Sequence, residues 1–397
     1  MPPQVRCLLV AQTFPPVLGG SAEVYAALAR HAGGAIAVLT ARRDHMTGGE
    51  HPGWAALDAA LPHPVERIPL IRPLTGAAAG GSRLRRRIAW AAGAARLALA
   101  VTAAARRHRA AAICLGDDDA AGWLAPFARR VLRRRVLIYC HGDDLVEEDP
   151  RAIAWRRRWF AEADMVVAAG DFAAARLAEG YGVPAAHIAR LPNGVDLARF
   201  GPRPEPEGLR GQLGLDGRRV ILAAARLVPR KGVDRLIEAL PAVLAQEPRA
   251  ALLVVGDGPQ RPALEAAAAG LPVHFAGAVP AAEMPALYAL AEVFALPNRA
   301  EPGESDGLPL VFLEAQASGL PVLGGRAGGT AEAVRDGETG LLVAGEDAAE
   351  VARGVLRLLQ DGALAQRLAA AGRAAAQQRG WAARASAFLE LCGPAPR

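Results

Sequence analysis

Residues 297–340, PNRAEPGESDGLPLVFLEAQASGLPVLGGRAGGTAEAVRDGETG, decide how this chain is read. The stretch runs as strand end, acidic loop, helix, tight turn and second glycine loop. Asp306 and Glu314 lie eight positions apart. Asp306 falls in a loop rich in Glu, Gly and Ser. Pro309 suits the first turn of a helix, where its missing N–H costs nothing. Glu314 then lies one turn inside that helix, in the otherwise apolar run Leu310, Val311, Phe312, Leu313, Ala315. A lone Glu in such a run is either a surface residue or a partnered buried acid. The free N–H groups of a helix start attract an anion, which favours the partnered reading. An anion cradled by those amides, with Glu314 accepting hydrogen bonds from its hydroxyls, describes a nucleotide diphosphate sugar. A solvated Glu on an ordinary helix is the alternative, open at this point.

Working outward, 397 residues suit two domains. With 52% hydrophobic residues there is enough apolar content for two cores. Cys7, Cys114, Cys140 and Cys392 are scattered without metal-like spacing, which points to a reducing, cytoplasmic location. Met1 to Gln4 lead straight into a strand, with no leader-like segment. The net charge of +6 hides an asymmetry: residues 1–200 carry 26 Arg against 18 acids, whereas the remainder carries 20 basic and 22 acidic residues. A basic first half suggests an anionic partner. The basic clusters lack interleaved aromatics and any nucleic-acid module, which argues against nucleic acid and leaves an anionic membrane surface. Lys231 is the only lysine; the other 45 basic residues are Arg. A single Lys in such a chain stands either where a compact ammonium is required or by chance.

Apolar runs at 5–10, 35–40, 65–70, 111–115, 136–140, 164–169 and 188–191 read as strands of the first half. Those at 220–225, 252–255, 273–276 and 293–296 read as strands of the second. Helical patterns alternate with them, so each half is expected to be a doubly wound parallel sheet. Residues 42–64 read as a loop region. Residues 83–87, RLRRR, open a long alanine-rich helix, expected to pack on the sheet rather than span a membrane, since Arg96 interrupts it. Gly19 and Gly20 form a phosphate-friendly corner between strand and helix. Asp117, Asp118 and Asp119 read as a loop and helix cap rather than a metal site. His141 opens a polar cluster, His141-Gly142-Asp143-Asp144, just past a strand end, where open α/β sheets bind ligands. Arg226 and Lys231 flank another such strand end, and two cations at a helix start make an anion site; Arg230 reads as solvated, and Glu304 as a solvated loop acid. Gly256 and Gly258 mark a glycine-rich turn. Met284, Leu287 and Tyr288 share a helix face that reads as core.

The central stretch resembles the retaining glycosyltransferases of family 4, which have the GT-B fold. The resemblance is carried by Asp306-Gly307, Glu314-Ala315, Gly319-Leu320-Pro321-Val322, Gly328-Gly329 and Glu332, with seven residues between the two acids. It extends to Pro192-Asn193-Gly194-Val195-Asp196 and to Arg226 and Lys231. The family usually has Glu where Asp306 stands, so this carboxylate is one methylene shorter. The resemblance implies two Rossmann-like domains facing across a cleft: residues 1–200 on the acceptor side, 209–378 binding the donor, and a last helix from 379 returning to the first. It implies that Arg226 and Lys231 hold the donor diphosphate, that Asp306 and His141 contact the donor sugar, and that Glu314 binds ribose. Gly19, Gly20, Gly256, Gly258, Val279, Gly307, Leu308, Pro309 and Leu310 would line the donor site. The expected reaction is metal-independent, anomer-retaining glycosyl transfer from a nucleotide diphosphate sugar to a hydroxyl of a glycan, lipid-linked or small-molecule acceptor. No cofactor is expected beyond that donor. A nucleotide-sugar epimerase and a non-catalytic nucleotide-sugar or glycan-binding protein are the alternatives. The basic first half adds peripheral contact with an anionic membrane at the cytoplasmic face.

Overall fold

A computed structural model describes residues 4–72 and 82–393; the side chains of Arg83, Arg86 and Asp118 lie outside the described set. The chain forms two compact units, Met1–Asn193 with Trp381–Arg397, and Gly194–Gly380.

The first unit holds a seven-stranded parallel sheet in the order β3-β2-β1-β4-β5-β6-β7. Its strands are β1 (Cys7–Ala11), β2 (Ile36–Ala41), β3 (Val65–Ile68), β4 (Ala112–Leu115), β5 (Arg135–Cys140), β6 (Met165–Ala168) and β7 (Ile188–Arg190). Every residue of β1, β2 and β4 is buried. This is why they read as continuous apolar runs rather than alternating ones: helices cover both faces of a parallel sheet. The helix Gly20–His31 follows β1, and the helix Trp381–Leu391 packs against it. Arg6, just before β1, ties that last helix down by donating to the carbonyls of Leu389 (2.7 Å) and Gly393 (3.1 Å).

The second unit repeats the plan with six parallel strands in the order β10-β9-β8-β11-β12-β13. They are β8 (Arg219–Ala224), β9 (Ala250–Val255), β10 (Val273–Gly277), β11 (Val293–Leu296), β12 (Val322–Gly325) and β13 (Leu341–Val343). In both units the strand order reverses beside the first strand, at β1/β4 and at β8/β11. Loops leaving the two strands there turn to opposite faces, and a crevice opens at their carboxyl ends.

Three expectations are corrected. The region 42–64 contains a helix, Trp54–Ala60, none of whose residues is buried. The three-residue strand β13 closes the second sheet where no strand was expected. The long helix Arg83–Arg107 enters the core only in its second half, through Leu97, Val101, Ala104 and Ala105, while Trp90 in the first half meets the Trp123 ring at 5.9 Å. In its first half Leu84, Ile88 and Trp90 are 68%, 61% and 51% exposed. The reason is length: 25 residues rise about 37 Å, against about 17 Å for the five-residue strand β1. The span Arg87–Arg107 has mean hydropathy 1.5 and is long and apolar enough to cross a membrane by length and composition alone. Leu97, Val101, Ala104 and Ala105 tie the helix to the core of the folded unit.

Candidate active site

The second unit places Arg226, Lys231 and Asp306 at the β8/β11 switch. Past β8 comes Arg226, exposed and without a side-chain hydrogen bond among the described residues. Pro229–Lys231 forms a 3-10 turn, and Gly232 caps the helix Val233–Leu244 in the left-handed region. The turn aims two cations at one carboxylate. Lys231 Nζ lies 2.6 Å from Asp306 Oδ1, and Arg230 Nε 3.0 Å from the same oxygen. Asn298, just past β11, donates its amide to Asp306 Oδ2. The far end of the Arg230 guanidinium pairs with Glu304 at 2.7 Å. Arg230 is therefore a largely buried ion-pair partner rather than a solvated residue, while Glu304 pairs with it from the solvent side, 50% exposed. Packing explains it: the 3-10 turn seats Arg230 over the acidic loop, and its side chain is only 18% exposed.

Burial pushes the Asp306 carboxyl up, but Lys231 and then Arg230 pull it down further, holding it below the ordinary carboxylate range. The loop that carries Asp306 is clamped from behind. Gly329 N–H donates to the Asp306 carbonyl at 2.9 Å. Gly328 has φ 54°, and a Cβ there would lie 2.2 Å from that carbonyl oxygen. Only glycine meets both demands.

Gly307 and the buried Leu308 lead into the helix Leu310–Ala317. Pro309 is extended (ψ 121°) and sits at the cap rather than inside the first turn. Leu310 is buried. One turn on, Glu314 Oε2 accepts a 2.9 Å hydrogen bond from Tyr288. The Tyr288 ring lies in the core as its spacing predicts, with 1% exposure; its hydroxyl end is the partner of Glu314. Burial first, and then the Glu314 charge, raise its phenol pKa well above the usual value. Glu314 is thus a partnered acid. Gly256 and Gly258 let the loops after β8 and β9 touch: Cβ atoms there would lie 1.9 Å from the Ala225 carbonyl oxygen and 2.5 Å from that of Leu227. Val279 is half-buried against the core of this unit.

The first unit builds a second constellation at its own switch. Gly19 and Gly20 are exposed at the start of the helix Gly20–His31, with open space where a Cβ would stand. Past β4, Asp117 lies in the left-handed region (φ 52°) and is tied into the loop after β1. Its carboxylate accepts from Thr13 N–H and Oγ1, both at 2.9 Å, and its own N–H donates to the Tyr25 hydroxyl at 3.0 Å. Past β5, His141 is buried edge-on to Tyr25, with ring centroids 5.0 Å apart. Burial pushes its pKa down against the opposing charges of Asp143 and Asp117. Its Nε2 is buried without a hydrogen-bond partner among the described residues. Asp144 holds this loop by accepting from Gly142 N–H (2.7 Å) and His141 N–H (3.1 Å). Burial, then the neighbouring Asp143, push its carboxyl up to about 7. Ser21, Asp117, Asp119, His141, Asp144 and Arg156 border a cavity of about 200 Å³.

The structure thus brings Lys231 and Asp306 together and gives Glu314 its partner. His141, Gly19 and Gly20 belong to the first unit. Sequence reasoning did not single out Arg230, Asn298 or Tyr288, which the structure sets against Asp306 and Glu314, and it read Asp144 only as part of the polar cluster opened by His141. The Pro-Asn pair at the end of β11 was the one available signal for Asn298.

Comparison with known proteins agrees with this geometry. Residues 218–361 match the family Glycosyl transferases group 1, and residues 19–199 match Glycosyltransferase Family 4. The chain is 35% identical over 382 residues to a GDP-mannose-dependent alpha-(1-6)-phosphatidylinositol monomannoside mannosyltransferase of Mycobacterium tuberculosis, covering 93% of this chain and 92% of that protein. The Mycolicibacterium smegmatis enzyme of the same description is 39% identical over 277 residues, 68% of this chain and 72% of that one. Among solved structures, Anabaena Alr3699/HepE in complex with UDP and glucose superposes with a TM-score of 0.78 at 22% identity, covering 97% of this chain and 98% of that one. At that identity the likeness speaks for the fold. The family matches and the near full-length relative fix the remaining step: the chain belongs to the family 4, group 1 glycosyltransferases and moves a sugar from a nucleotide-sugar donor to an acceptor.

Proposed function

We propose that the enzyme transfers mannose from GDP-mannose to a hydroxyl of a phosphatidylinositol-linked glycolipid, with retention of anomeric configuration and without a metal ion. The observation that carries this reading is the 35% identity, over 93% of the chain, to an enzyme of that donor and acceptor class. Departure of the diphosphate builds negative charge. Arg226, Lys231 and amides of the Leu310–Ala317 helix start stabilise it where it develops, which is work a metal ion does elsewhere. Glu314, oriented by Tyr288, binds ribose hydroxyls. Asp306 contacts the sugar. The acceptor proton leaves with the departing phosphate, so no protein base is assigned. The donor is the only small molecule required.

The enzyme works at the cytoplasmic face of a membrane. Its contact there is the exposed first half of the helix Arg83–Arg107, which presents Leu84, Ile88 and Trp90 beside Arg85 and Arg87. Apolar side chains flanked by arginines suit an anionic leaflet.

The test is transfer of labelled mannose from GDP-mannose to vesicles containing phosphatidylinositol monomannoside, with and without EDTA, and anomer analysis of the product. Transfer that persists in EDTA with an α product supports the reading. Transfer from UDP-glucose in preference to GDP-mannose overturns the donor assignment, and loss in EDTA restored by Mg²⁺ overturns metal independence.

A further inference from the structure

We infer that Arg230 is a positioning residue for the diphosphate site: it holds Asp306, and through Asp306 it fixes the Lys231 ammonium. The inference rests on the reading that Lys231 binds the donor diphosphate. It departs from the expectation that Asp306 serves mainly the sugar.

Asp306 has about four lone-pair directions, and three are occupied: by Lys231 Nζ at 2.6 Å, by Arg230 Nε at 3.0 Å and by the Asn298 amide. The side chains of Asp306, Lys231 and Arg230 are 8%, 15% and 18% exposed. These are not rim ion pairs, which solvent and salt would loosen. A carboxylate this buried persists only with its partners in place. Glu304, 50% exposed, pairs with the other end of Arg230 at 2.7 Å from the solvent side, so two cations and two acids balance. The group is a relay running Glu304, Arg230, Asp306, Lys231.

Its consequence falls on the lysine. An ammonium on a four-carbon stem rotates freely until something fixes it. Asp306 takes one of its three N–H groups and leaves two for phosphate oxygens. Arg226, exposed and without a side-chain hydrogen bond among the described residues, is the complementary cation that meets the anion first. Remove Arg230, and Asp306 loses the partner that keeps it ionised and aimed. Lys231 then loses its guide while its charge remains. Arg230 touches no reacting atom in this scheme.

The experiment is kcat and KM for GDP-mannose across pH 4–9, with Tm at each pH, for wild type, R230Q, R230K, D306N, D306N/R230Q and K231A. R230Q is expected to lower kcat/KM about tenfold at pH 7 and to raise the pH of the acid limb, because Lys231 and Asn298 alone then face the Asp306 carboxylate. R230K, which keeps a cation there, recovers part of the loss. In the D306N background R230Q costs less than twofold, since the relay is already cut. Full additivity of R230Q with D306N, or a lowered Tm with an unmoved acid limb, overturns the inference and leaves Arg230 a purely structural ion pair. K231A separates the two readings: if it retains wild-type kcat/KM, the diphosphate assignment itself fails, whatever R230Q does.

Discussion

Replacing Tyr288 with Phe tests whether Glu314 is a ligand held in place by the core. The ring sits edge-on to Phe200 at 5.7 Å and tilted to Phe294 at 5.9 Å, so Phe fills the same space and only the hydroxyl is lost. That hydroxyl donates to Glu314 at 2.9 Å. A hydrogen bond to a charged group is worth about 1.5–3 kcal/mol. Glu314 is half-buried, so water reaches the vacated oxygen, and the loss falls at the low end, about 1.5 kcal/mol. For a unit of this size that lowers Tm by about 3–6 °C. The same loss of orientation is expected to weaken GDP by up to about tenfold, since 1.4 kcal/mol is a factor of ten. Burial and the Glu314 charge hold the phenol pKa well above its usual value, so it stays a donor and the effect is constant from pH 6 to 9. Calorimetric titration with GDP and thermal melts read both quantities. A lowered Tm beside wild-type GDP affinity refutes the reasoning and makes Tyr288 a folding residue only.

Lys231→Ala and Arg226→Ala are each expected to cost about 2–4 kcal/mol of transition-state stabilisation, tens to a thousandfold in kcat/KM; initial rates of mannose transfer check this, and wild-type rates in both would dismiss the site. Asp144, its carboxyl raised to about 7, keeps a proton in the folded state that the unfolded chain gives up near 4. Its contribution to stability therefore falls as pH rises from about 4 to about 7 and is flat above. His141, with its pKa depressed, acts in the opposite sense below about 6.5, so the difference between wild type and Asp144→Asn in chemical denaturation isolates the aspartate: the variant gains on wild type up to pH 7 and stays level beyond. Arginines near an anionic leaflet contribute about 1 kcal/mol each, so wild type should pellet with anionic but not neutral vesicles at low salt, and a variant with Arg85, Arg87, Ile88 and Trp90 changed to Ser should stay in solution.

The sheets were legible because parallel strands covered on both faces leave unbroken apolar runs, as β1, β2 and β9 do. What escaped had no such signature. The helix Trp54–Ala60 is two turns long and half-buries only Trp54, Leu57 and Asp58, a stripe too short to mark it in the sequence. The strand β13 is three residues long, and it is defined by pairing with β12, Leu323 to Leu341 through Gly325 to Val343, rather than by its own pattern. The helix Arg83–Arg107 was readable as a helix but not in its placement. Its composition is apolar along most of its length, and only the tertiary structure shows which half meets a core.

The site divides along the same line. Glu314 and Lys231 stand out in the sequence because each is the wrong chemistry for its surroundings, an acid in an apolar helix and one lysine among arginines; Asp306, in a loop with Glu301 and Glu304, stands out only by its spacing from Glu314. Arg230 offers no such contrast, being one arginine of 45. Its role arises because two adjacent cations of the turn Pro229–Lys231 reach the same carboxylate oxygen through their long side chains, a convergence that no local spacing announces. Tyr288 shows the complementary limit. Spacing with Met284 and Leu287 assigns its ring to the core correctly, yet a phenol has two ends. Where the hydroxyl arrives depends on how the helix Met284–Leu290 lies against Leu310–Ala317, two elements whose first residues are separated in sequence by β11 and the acidic loop. Residue type announces a functional group; the partner that orients it is fixed by packing, and in this enzyme both orienting residues, Arg230 and Tyr288, reach their acids across such a join.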